Sequence, residues 1–177
     1  LMHKTGLLAH LVPSSTASSS KQQLSHLLKI LRSLPHGNAL QATAVVLLRS
    51  GSMPGKRITI EDLPVLKDTA LQELTSLRFS GRDRNHVIAV QQLYWKLKLA
   101  HDLTDPLLAI ELADKHTSDT CAILAAEWAR APDGLSRLKS INSLAARMRK
   151  AVAKPLLTGK DLMEAGAQPG PGMRQLI

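Results

Sequence analysis

Aromatic residues are almost absent: two Trp, one Tyr and one Phe in 177 residues, or 2% of the chain. With 44% of residues hydrophobic, the core must therefore be built from Leu, Ala, Val and Ile, a composition that favours helix over sheet. Cysteine is reduced to Cys121, which excludes an internal disulfide and any multi-cysteine metal site and fits a reducing cytoplasmic setting. No apolar run approaches the ~20 residues of a membrane span, and the stretch from Gly6 to Val12 is too short for a secretory signal core, so no membrane partner is expected. Acid is scarce too. Fourteen Asp and Glu face 23 Lys and Arg, a formal net charge of +9 that draws polyanions such as nucleic acid.

What is present reads as helices. Residues 13–20 are small and polar, a loop ending in a serine N-cap. Helices are predicted over 21–34 and 39–49, the second apolar nearly all round, as a fully buried helix would be. Ile58-Thr59-Ile60 has no partner strand and is read as loop. A helix over 66–77 places Leu66, Ala70, Leu71, Leu74 and Leu77 on its apolar side. Ser80-Gly81-Arg82-Asp83 then reads as a capping box that opens a helix to about residue 101, with Val87, Val90, Tyr94 and Leu97 on one side. Ile88, Trp95 and Leu99 lie on another, so this helix should pack between two neighbours. Two further helices, 104–114 and 118–130, are closed by Pro132 and Gly134 as stop signals. The expected fold is all-α, an elongated stack of about eight helices without a sheet, divided into a body-like region over 1–130 and a basic tail-like region over 131–177.

Charge is segregated along this stack. Asp102, Asp105, Glu111, Asp114, Asp119 and Glu127 gather before residue 130. The next helix, 135–153, carries Arg137, Lys139, Arg147, Arg149 and Lys150, with Lys154 just past its end and no acid among them. On its projection Leu138, Ile141, Ala145, Met148 and Val152 form the stripe that should be buried, while Lys139, Arg147, Lys150 and Lys154 fall opposite. Such a ridge suits phosphate neutralisation, although most charge runs are solvated helix faces. The seven histidines are scattered without a ligand-spaced pair and a carboxylate, and each is read as a surface or half-buried side chain.

The last segment, TGKDLMEAGAQPGPGMRQLI, combines a Thr158–Asp161 capping box, a Gly166 helix stop and a Pro169-Gly170-Pro171 reversal. Free N–H groups before Met173, with Lys160 and Arg174 alongside, could receive a phosphate. This string resembles the C-terminal signature of the bacterial class II tRNA nucleotidyltransferases (CCA-adding enzymes) and poly(A) polymerases. MHKTGLLAHLVP at 2–13 and LRFSGRDRNHV at 77–87 are similar to the start of that family's body and to its serine-capped helix entry. The resemblance implies a body and tail that bind tRNA or other RNA through its backbone, while the chain's own N-terminal catalytic head adds nucleotides to the 3′ end.

That head, with its Gly-Gly loop, Asp-x-Asp metal pair, Mg2+ and CTP or ATP, has no counterpart in these residues. With Leu1 in place of a start Met and an apolar finish at Gln175-Leu176-Ile177, the chain is expected to be a fragment, without cofactor and inactive alone. The family's His-Asp pair for phosphoester hydrolysis is also missing, since Val46-Leu47-Leu48 runs into Arg49-Ser50. RNA-contacting residues are expected at Lys139, Arg147, Lys150, Lys154, Lys160 and Arg174. The alternative is a helical protein-interaction module whose basic face meets an acidic partner.

Overall fold

The structure, a computed structural model, describes residues 21–34, 39–48, 57–100, 102–129, 131–152 and 163. Among the described residues there are seven α-helices and no strand, so the chain is all-α. They are α1 (Lys21–Ser33), α2 (Ala39–Val46), α3 (Leu63–Ser76), α4 (Gly81–Leu99), α5 (Pro106–Glu111), α6 (Thr117–Trp128) and α7 (Gly134–Val152). A single 3-10 turn, Ile60–Asp62, precedes α3. The helices expected over 158–165 and after Pro171 lie outside the described residues.

Local chemistry sets the boundaries. The Thr59 N–H and hydroxyl both donate to the Asp62 carboxylate, at 2.9 and 3.1 Å, and Pro64 in the first turn starts α3 three residues earlier than its apolar spacing indicates. Leu66, Ala70 and Leu74 are buried as expected, whereas Leu71 is exposed. α3 ends with Arg78 in the left-handed region at φ 58°, where the Phe79 N–H reaches back to the Leu74 carbonyl at 3.0 Å. At the start of α4 the Ser80 oxygen accepts from the Asp83 N–H at 3.1 Å. The Ser80 hydroxyl also donates to the Asp83 carboxylate, at 2.8 Å. Asp105 caps α5 through the Leu107 N–H at 2.9 Å, and this helix is shorter than the expected 104–114 because residues 112–116 turn.

α4 is the centre of the fold. It packs against α2, α3, α5 and α6, and Val87, Ile88, Val90, Gln91, Leu93, Tyr94, Trp95 and Leu97 are all buried on it. The expectation of a helix between two neighbours is thus met on more than two sides. α2 ends at Val46, short of the expected residue 49, and two carbonyls just beyond it are taken by α4: Gln91 Nε2 donates to the Leu47 oxygen and Trp95 Nε1 to the Leu48 oxygen, each at 2.6 Å. One hydrophobic cluster reaches every helix, from Ile30 on α1 through Ala44, Leu66, Val90, Leu108 and Ile123 to Ile141 on α7.

Gly134 corrects a sequence expectation. It does not stop the preceding helix but begins α7, buried, with Trp128 and Ala131 closing over the place a side chain would fill. The expected stripe of α7 is buried at Ile141 and Ala145, half-buried at Leu138 and Met148, and ends there, since Val152 is 59% exposed.

Candidate nucleic-acid interface

The acid-free sequence of α7 allows its polar face to stay unneutralised only if no neighbour supplies carboxylates. Lys139, Arg147 and Lys150 are all exposed, and among the described residues none forms an ion pair. Lys154, Lys160 and Arg174, with the Pro169-Gly170-Pro171 reversal, lie outside the described residues. The structure thus brings three of the six expected RNA-binding residues onto one helix.

Arg137 belongs to the same run of cations but does different work. Its guanidinium donates to the Leu97 carbonyl at 2.7 Å and to the Ala100 carbonyl, the orphan acceptors at the end of α4, and lies 5.5 Å over the Trp128 ring. It ties α7 to α4 and α6. Arg149 is exposed near Cys121, whose thiol is pushed up by burial and pulled partly back by that guanidinium. The Arg137–Trp128 contact places the start of α7 beside the end of α6.

α6 packs against both α7 and α1, and both of its acids are engaged by cations or donors from elsewhere. Glu127, its side chain 7% exposed, is reached at 2.5 Å by Lys98 Nζ, at 2.6 Å by the Tyr94 hydroxyl and at 3.0 Å by His26 Nε2. Burial pushes its carboxyl up, but the Lys98 charge and these hydrogen bonds outweigh burial and hold it below the ordinary carboxylate range. Asp119 accepts from Gln41 Nε2 at 2.8 Å and pairs with His86 Nε2 at 2.7 Å. His116 in turn brings its Nδ1 to 2.9 Å from His86 Nδ1 and its Nε2 to 3.5 Å from Asp114.

This histidine pair escaped sequence reasoning, because its members sit 30 residues apart and only the packing of α4 on α6 joins them. His116 also lines a pocket of about 200 Å³ with Leu93, Lys96, Glu111 and Asp114, where Lys96 and Glu111 pair at 2.5 Å. Among the described residues no group of three His, Cys, Asp or Glu side chains could hold a metal ion. No helix among them is long and apolar enough to cross a membrane. Compared with family models, curated proteins and solved structures, the chain matches none of them.

Proposed function

We propose that this chain is an RNA-binding helical segment, the tRNA-holding part of a cytoplasmic tRNA nucleotidyltransferase or poly(A) polymerase-type enzyme. Its catalytic head, with Mg2+ and CTP or ATP, would be supplied by residues outside this sequence. The observation that carries the reading is the exposed face of α7, where Lys139, Arg147 and Lys150 stand without a carboxylate partner among the described residues. A solvated helix face usually interleaves acids with its lysines, because opposite charges three or four residues apart stabilise the helix. This one has none. Such a ridge binds phosphates by charge and counterion release, giving affinity nearly blind to sequence, as a protein serving every tRNA requires.

Lys139→Glu with Lys150→Glu tests the reading. Binding should weaken alike for all tRNAs, and the slope of log affinity against log salt should become shallower by about 0.7–0.9 for each phosphate that is no longer neutralised. Undiminished tRNA binding by the double variant, with loss of binding to an acidic protein instead, would replace RNA by a protein partner. The purified chain alone should incorporate no CTP or ATP into RNA, since in-line phosphoryl transfer of this kind uses paired metal-binding carboxylates.

A further inference from the structure

Among the described residues, only two of the seven helices carry basic residues and no acid: α7, and α1, whose sequence KQQLSHLLKILRS includes His26, Lys29 and Arg32. They are about a hundred residues apart in the chain, yet both pack against α6. Between α1 and α6 runs a groove of about 450 Å³, with Lys29, Arg32 and Ser33 on the α1 side and Ala126, Glu127 and Ala129 on the other. Lys29 and Arg32 are exposed, and among the described residues neither has an ion-pair partner. The one acid among the described residues of the wall, Glu127, is already held by Lys98, Tyr94 and His26, so it does not cancel them.

We propose that this groove is a second RNA-backbone site, in which Lys29 and Arg32 contact a phosphodiester; the inference rests on the RNA reading above. Three features support it. The groove lies at the end of α6 that Arg137 and Trp128 join to the start of α7, so it sits at the Lys139 end of the basic helix. The partial negative charge at the end of α6, equivalent to about half an elementary charge, is outweighed by the two full positive charges of Lys29 and Arg32. Ser33 adds selectivity: its hydroxyl donates to the Lys29 carbonyl at 3.0 Å, leaving its oxygen as an acceptor. An acceptor beside a phosphate site suits the ribose 2′-hydroxyl, which RNA has and DNA lacks.

The test uses the full chain with a tRNA transcript and a DNA copy of the same sequence, with melting followed in parallel. Lys29→Glu with Arg32→Glu should leave the melting temperature nearly unchanged, weaken tRNA binding about tenfold at about 0.1 M salt, and flatten the salt slope by about 1.4–1.8. Ser33→Ala should narrow the preference for RNA over DNA with little change in DNA affinity. If the α7 reversal weakens binding while the α1 reversal does not, the groove inference falls and the RNA reading stands. If neither reversal affects binding, both fall. Equal loss of RNA and DNA affinity in Ser33→Ala would overturn the 2′-hydroxyl contact.

Discussion

The Nδ1 atoms of His86 and His116 lie 2.9 Å apart, so one proton sits between two imidazoles. With His86 Nε2 directed at Asp119 over 2.7 Å, the neutral tautomer leaves His86 Nδ1 as acceptor and makes His116 Nδ1–H the donor. A second proton in the gap would place two N–H groups face to face. Burial lowers His116 below its ordinary value of 6.5; Asp114 and Asp119 oppose the shift, while His86 and Lys115 add to it.

Because the folded pKa is the lower one, the unfolded chain binds the proton more readily. Stability should therefore be undisturbed well above pH 6.5 and should fall as pH drops through 6.5 toward the folded value. His116→Gln should flatten this dependence. Melting temperatures compared between about pH 7.5 and about pH 5.5 decide the matter: equal acid sensitivity in the variant and the parent would mean the pair is not the titrating element.

Glu127 has the same sign and a lower window. Its carboxyl is depressed below 4.5, so the stability it contributes is present above that value and is lost as pH falls through the folded pKa. Glu127→Gln should cost about 1–3 kcal/mol near neutrality, because Lys98 loses its charge partner while Tyr94 can still donate to the amide oxygen. Urea titration at about pH 7 measures it. A midpoint unchanged by the substitution would show that Lys98 is as well satisfied by water.

Much of this scaffold is legible in the sequence because its signals are local. The Ser80–Asp83 cap, the apolar positions of α4 and the central stripe of α7 each depend on residues within a few turns of one another. What escapes is what packing alone creates. The His86–His116 contact and the Glu127 network join residues from different helices, with no spacing to betray them. The same limit explains Arg137: by sequence it is one more cation in a basic run, and only the end of α4 beside it makes it a structural tie. The groove on α1 stays hidden in the sequence because its charge pattern acquires meaning only when α1 and α7 are seen on the same neighbour.

Arg137 and Lys139, two residues apart, should therefore separate stability from affinity. Arg137→Ala removes two hydrogen bonds to backbone carbonyls and the stacking on Trp128, and should cost about 1–3 kcal/mol. Arg137→Lys should recover only part of this, since an ammonium lacks the planar fork that serves two carbonyls while lying over a ring. Lys139→Glu should leave melting nearly unchanged and weaken RNA binding. A reversed pattern, with Lys139 carrying stability and Arg137 carrying RNA, would dismantle this assignment of the α7 face.

Gly134→Ala sets helix propensity against packing at one position. Propensity favours alanine by up to about 1 kcal/mol, and less near a helix start, so a reading of the sequence alone makes the change harmless or stabilising. The geometry opposes it: an added Cβ would stand 2.6 Å from the Trp128 Cβ, 2.7 Å from the Trp128 carbonyl oxygen and 3.1 Å from the Ala131 Cβ. Two of these three neighbours are Cβ atoms fixed to backbone and the third is backbone itself, so no flexible side-chain tip can move aside. The α6–α7 turn has to open, which should cost about 1–3 kcal/mol and so exceed the propensity gain. Opening that turn also displaces Trp128 from beneath the Arg137 guanidinium, so the tryptophan near-ultraviolet dichroism should change together with the melting temperature. Gly134→Ala melting at or above the parent temperature with an unaltered tryptophan signal would show that the turn has room for a side chain, and the close approach of α7 to Trp128 would have to be given up.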